Sequence, residues 1–155
     1  MKILLLEDNK NERDDIIKTF ADKFPEAIIT AVDSYEDGVA AYECDEPDLV
    51  ITDGEFLVYG SLERLAGLEF LRFVRSKDQN KPVVYHSAAD TPKEALNIAG
   101  QFFISVPKWR RSEESSALSI VFIAQDLHTE LTQQKPTVEG SDVREVGTQE
   151  QAVQR

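Results

Sequence analysis

Cys44 is the only cysteine in this chain of 155 residues, so no disulfide can close within it and nothing in its cysteine usage points to an oxidising compartment. The sequence also lacks any apolar run close to the roughly 20 residues that span a bilayer. The opening Met1-Lys2-Ile3-Leu4-Leu5-Leu6 is cut short by Glu7 and Asp8, well before the length of a secretory apolar region, and neither end carries a lipidation motif. The expected compartment is the cytoplasm. Basic residues are scarce as well: 17 against 29 acidic ones give a net charge of -12. Such a surface repels phosphate backbones and anionic headgroups, so neither nucleic acid nor a membrane is an expected partner. His86 and His128 have no companion at ligand spacing, which argues against histidine-based metal binding.

What is present suits one ordinary domain: 41% apolar and 30% charged residues. Short apolar runs at residues 3–6, 27–32, 49–52, 82–85 and 102–106 alternate with segments of helical period. The first helical face carries Ile16, Ile17, Phe20, Ala21 and Phe24. A second helix runs from Ser34 to about Cys44, with Ser34 and Asp37 approximating a capping box, and a third carries Leu68, Phe70, Leu71, Phe73 and Val74. Thr91-Pro92-Lys93-Glu94 reads as a helix start with Thr91 as cap, and residues 112–134 as a last helix with an inner stripe from Ala117 to Leu131. Residues 54–66 carry no assigned element. Strands and helices in strict alternation predict an α/β fold, a doubly wound five-stranded parallel sheet in the order 2-1-3-4-5 with helices on both faces. The domain is expected over residues 1–134, with 135–155 a disordered tail or a linker. If the stripe of the last helix, through Leu127 and Leu131, outruns the sheet, a homodimer through that helix is expected.

In such a fold the ligand site lies at the carboxyl ends of the strands, beside the switch in strand order. The first strand ends in Glu7-Asp8, the third in Asp53, the fourth in Ser87 and the fifth near Lys108. Three carboxylates in one crevice repel each other unless a cation neutralises them, and oxygen donors that leave room for water suit Mg2+. Asp53 can then act as a nucleophile toward phosphorus, with Lys108 balancing charge and Ser87 donating a hydrogen bond to the transferred group.

Over residues 1–134 the chain resembles a response-regulator receiver domain. Ile3-Leu4-Leu5-Leu6-Glu7-Asp8-Asn9 is similar to that family's opening strand and acid pair, Asp48-Leu49-Val50-Ile51-Thr52-Asp53 to its phosphoacceptor strand, and Pro82-Val83-Val84-Tyr85-His86-Ser87-Ala88 to its fourth strand. The resemblance implies a flavodoxin-like receiver fold. It also implies phosphoryl transfer to Asp53 from a phosphohistidine on a sensor histidine kinase or histidine phosphotransfer protein. Mg2+ would sit at Glu7, Asp8, Asp53 and the Glu55 backbone carbonyl, and a shift of the last two strands would change affinity for a downstream protein. Such a chain is a phosphoacceptor rather than an enzyme with turnover.

Three positions depart from the family's pattern. A glycine usually lies about eight residues after the acceptor, whereas Gly67 comes fourteen after Asp53, so an insertion within residues 58–66 borders the site. The usual Lys-Pro is reversed to Pro107-Lys108, which leaves two readings of the lysine: one displaced by a single place that still reaches the pocket, or a surface residue. A serine, Ser105, stands where an aromatic switch is usual, with Phe102 or Phe103 as substitutes. Ser87 can alternatively be a turn cap, Cys44 reads as a small buried hydrophobe, and Trp109-Arg110-Arg111 marks either a partner-facing corner or a helix anchor. Two other functions compete: a receiver-like interaction module that is never phosphorylated, and a Mg2+-dependent phosphatase in which Glu55 stands at the general-acid position.

Overall fold

Ile3, Leu4, Leu5 and Leu6 are all buried in the first strand, the mark of a parallel strand covered on both faces. In the computed structural model, which describes residues 1–108 and 116–134, the elements follow as β1 (Lys2–Leu6), α1 (Lys10–Lys23), β2 (Ile28–Val32), α2 (Tyr35–Asp45), β3 (Leu49–Asp53), β4 (Phe56–Val58) and β5 (Ser61–Glu63). After these come α3 (Ala66–Lys77), β6 (Val83–Ser87), α4 (Lys93–Ile98), β7 (Phe103–Pro107) and α5 (Ser116–Gln134). The parallel sheet has five strands in the order β2-β1-β3-β6-β7. This is the predicted doubly wound topology, with the switch between β1 and β3.

Side chains alternate across the sheet. Ile3, Leu5, Ile51 and Val84 join Phe20 of α1 and Val121 of α5 in one core layer. Leu4, Leu6, Val50 and Val83 join Tyr42 of α2 and Leu71 of α3 in the other. Asn9 caps α1 by accepting from the Glu12 amide (3.0 Å), and Ser34 caps α2 by accepting from Asp37 (3.2 Å).

Several expectations change. Residues 54–66 fold into the antiparallel hairpin β4–β5. Its two-residue turn places both Tyr59 (φ 47°) and Gly60 (φ 84°) in the left-handed region, as a hairpin turn with the twist of its flanking strands requires. Phe56 anchors the hairpin and is fully buried. At α4 the cap position is Pro92, with no side-chain capping bond. Thr91 instead sets its hydroxyl against that of Ser105 on β7. Cys44 is exposed, because it lies two residues beyond Tyr42, whose ring fills the inner face of α2. Leu127 is buried and Leu131 packs against the same cluster. Of the stripe on which the homodimer expectation rested, Leu127 is covered within the chain and Leu131 is half-buried. The readings of Trp109-Arg110-Arg111, the start of the last helix at Ser112 and the tail 135–155 lie outside the described residues. No helix among the described residues is long and apolar enough to cross a membrane.

Candidate phosphoacceptor site

Glu7, Asp53 and His86 have the strand parity of Leu5, Ile51 and Val84, so all three turn toward the α1 and α5 side at the carboxyl end of the sheet. Glu7 is fully buried and Asp53 is 5% exposed. The Glu7 carboxylate accepts from the Asn9 amide (3.1 Å), and its backbone carbonyl accepts from the Arg13 guanidinium (2.9 Å). Asp53 Oδ1 accepts from the amide of Gly54 (2.6 Å) and, at longer range, from that of Glu55 (3.4 Å). These amides fix the carboxylate while its other oxygen faces the crevice. Carboxylate oxygens of Glu7, Asp8 and Asp53 lie within 4.8 Å of one another. An all-oxygen set of this size fits a hard divalent cation.

Lys108 answers the question its order in the chain raised. Its backbone N–H donates to the Ser87 carbonyl (3.0 Å), continuing the β6–β7 ladder past Pro107. Its ammonium bends into the pocket, where it reaches Asp53 Oδ2 (3.0 Å), Glu7 Oε1 (3.1 Å) and Glu12 Oε1 (2.8 Å). A four-carbon stem absorbs the one-residue displacement. Burial works against the ammonium, but Asp53, Glu12 and Glu7 outweigh it and hold the Lys108 pKa above the ordinary lysine value. Glu7 shifts the other way for a carboxyl: burial, then the charge of Asp53, push it up, with Lys108 only partly offsetting them. The Lys108–Glu7 contact is therefore a hydrogen bond to a carboxyl that holds its proton when no divalent cation is present, and the ionic partners of Lys108 are Asp53 and Glu12.

Sequence reasoning missed three neighbours of this site. Glu12, in the first turn of α1, completes the cage around Lys108. His86 lies 3.8 Å from Glu7. Burial, then Lys108, push its pKa down to about 3, so the ring is neutral and the contact is not an ion pair. Ligand atoms of Glu7, Glu12 and His86 also lie within 4.8 Å of one another, but Lys108 is bonded to both glutamates there. The third neighbour is Arg64, which with Asp53, Glu55, Ser87, Ala88, Ala89 and Lys108 lines an open cleft of about 420 Å³. A depression of similar volume, about 400 Å³, lies around Asp48, Lys81, Phe102 and His128 and contains none of the clustered carboxylates.

Ser87 stands in the cleft beside Asp53 and also accepts from the Ala89 amide (3.2 Å), so it serves as a turn cap while lining the pocket. Glu55 lines the cleft as well. At the switch position Ser105 is exposed and paired with Thr91. Phe102 is buried under α5, and Phe103 stacks on Tyr85 with ring centroids 6.1 Å apart. Phe102 thus lies in the core layer of α1 and α5, while Phe103 shares the strand face of Ser105.

No family model matches the sequence, and no curated protein matches it. Solved structures do. A response regulator receiver protein from Sinorhizobium medicae superposes with a TM-score of 0.64 at 24% identity, over 83% of this chain and 94% of its own. The receiver domain of a Francisella response regulator gives 0.62 at 18% identity, covering 84% and 98%. A receiver domain protein from Clostridium thermocellum gives 0.63 at 15%, covering 86% and 98%. The fold is that of a response-regulator receiver domain. In this chain the carboxyl ends of β1, β3, β6 and β7 bring Glu7, Asp8, Asp53, Ser87 and Lys108 to the same end of the sheet.

Proposed function

We propose that this chain is a phosphorylatable signalling receiver in which Asp53 accepts a phosphoryl group from a phosphohistidine on a sensor kinase or phosphotransfer protein. One observation carries the reading: a carboxylate at the end of a central strand is pinned through one oxygen by backbone amides, while its other oxygen meets a lysine ammonium and the Glu7-Asp8 pair. Glu7, Asp8, Asp53 and the Glu55 carbonyl would hold Mg2+, which when bound supplies charge neutralisation for phosphoryl oxygens. Asp53 attacks phosphorus, the P–N bond to the donor imidazole breaks, and the imidazole departs with a proton. Ser87 donates a hydrogen bond to a phosphoryl oxygen, and Lys108 leaves its carboxylate cage to pair with another. The Gly54 and Glu55 amides hold Asp53 in line throughout. The chain takes part in its own phosphorylation and dephosphorylation without otherwise acting as an enzyme.

The lysine's entry into the pocket removes one ground for the unphosphorylated interaction module. The absent aromatic switch is its remaining support, and it points to an output that does not pass through a rotating ring at position 105. The test is transfer from a small P–N donor such as phosphoramidate: the product should carry one phosphoryl group labile to hydroxylamine. A hydroxylamine-stable product would place the phosphate elsewhere, and the absence of any product would favour the interaction module.

A further inference from the structure

The hairpin β4–β5 is tied to the acceptor site at several points. At its base the Gly67 amide donates to the Gly54 carbonyl (3.0 Å), one residue from Asp53. A Cβ on Gly67 would stand 2.4 Å from the Asp53 carbonyl oxygen and 2.8 Å from the Gly54 Cα. Both are backbone atoms, so only glycine permits this closure. Phe56 is buried in the core layer of α2 and α3, and Leu57 forms a bridge with Ser34. The Tyr59 amide donates to both oxygens of Glu36, at 3.0 and 2.7 Å. The hairpin is a braced arm, and its return strand delivers Arg64 to the cleft.

Arg64 follows β5 directly and lines the cleft with Asp53, Ser87 and Lys108. It makes no hydrogen bond or ion pair with any described residue. Lys108, by contrast, is engaged by three carboxyl groups before any ligand arrives. Among the residues lining the cleft, Arg64 is thus the cation not already engaged by carboxylates, in a protein of net charge -12. A phosphoryl group places roughly two negative charges in the cleft, where the Asp53 carboxylate had carried one. A guanidinium offers a planar fork that matches two phosphoryl oxygens and stays protonated at any physiological pH.

We propose that Arg64 is a phosphoryl-contacting cation added to the Asp53 cleft by the hairpin, where it captures the anionic donor and holds the transferred group together with Lys108. The proposal rests on Asp53 being the phosphoacceptor. It makes the insertion part of the binding site and assigns the hairpin a role in the rate of phosphorylation.

The test compares the second-order rate constant for phosphorylation by acetyl phosphate, at fixed Mg2+ and ionic strength, in the wild type, Arg64→Ala and Arg64→Lys. Arg64→Ala should be slower by about tenfold, the scale of one charge-assisted hydrogen-bonded contact, and Arg64→Lys should recover part of the loss as a point charge without the fork. Mg2+ affinity of the unphosphorylated protein, measured by calorimetry, separates contact from collapse. Removing a cation near carboxylates should leave that affinity equal or tighter, whereas a displaced hairpin base would weaken it. Equal rates in wild type and Arg64→Ala, or a slower rate that tracks weakened Mg2+ binding, would overturn the proposal. A wild type that takes up no phosphoryl group would overturn it together with the phosphoacceptor reading.

Discussion

Replacing Lys108 by methionine keeps the length of the stem and removes an ammonium held by three carboxyl groups at 2.8, 3.0 and 3.1 Å. At about 3 Å and an effective dielectric of about 20, each ionised contact is worth about 5 kcal/mol before desolvation. Two contacts must be discounted. The Glu12 side chain is 42% exposed, so solvent screens it, and Glu7 holds its proton in the metal-free protein. Asp53, with a side chain 8% exposed, remains. Stranding one member of a buried pair costs about 3–5 kcal/mol, and the Gly54 and Glu55 amides on Asp53 reduce this to about 2–4 kcal/mol. For a domain of this size the melting temperature should fall by about 10 °C. The assay is a thermal melt followed by circular dichroism at pH 8 in chelator, repeated with saturating Mg2+. The divalent cation can take over the charge balance that the ammonium provided, so Mg2+ should bind the variant more tightly and close most of the gap. An unchanged melting temperature in chelator, or a gap that Mg2+ leaves intact, would refute the electrostatic account of the pocket.

Three further outcomes are expected. The Glu7 carboxyl has a folded-state pKa raised to about 9 by burial and by Asp53. Its contribution to stability is therefore complete below its unfolded value of 4.5 and is lost as pH rises through the folded value. Metal-free melting temperature should fall between these limits, Glu7→Gln should flatten the profile, and a wild-type profile already flat there would contradict the assignment. Gly67→Ala forces a methyl group against the Asp53 carbonyl oxygen and the Gly54 Cα, so it should cost about 1–3 kcal/mol in chemical denaturation; a neutral substitution would show that the hairpin base yields. Arg75, 5% exposed, donates to the carbonyls of Ala99 (2.7 Å), Lys81 (2.8 Å), Asp78 (3.3 Å) and Phe102 (3.5 Å). Arg75→Met should lower unfolding free energy by about 3 kcal/mol through the stranded carbonyls, and a loss below about 1 kcal/mol would assign those groups to solvent.

The central strands β1, β3 and β6 were legible because parallel strands buried on both faces read as unbroken apolar runs. The acids that stop those runs at Glu7 and Asp53 mark the strand ends where the fold puts its ligands. The hairpin was not legible. Phe56-Leu57-Val58 is too short to show a period, and Tyr59-Gly60 lacks the Asn-Gly or Asp-Gly pair that signals a two-residue turn. Arg75 looks like a solvated residue of an amphipathic helix, since its burial depends on carbonyls brought from the α3–β6 and α4–β7 connections. The reach of Lys108 into the pocket could be expected from its four-carbon stem but not from chain order, because it depends on a side-chain path around Pro107 rather than on spacing. Arg64 was hidden for the same reason as the hairpin that carries it.

Intact-mass measurement after incubation with acetyl phosphate and Mg2+ tests the central claim, that Asp53 accepts a phosphoryl group in a divalent-cation pocket built from Glu7 and Asp8. The wild type should gain one phosphoryl group, and should gain none when a chelator replaces Mg2+ or when Asp53 is changed to asparagine. Equal mass gain in the wild type and Asp53→Asn, or no gain in the wild type at saturating Mg2+, would contradict it.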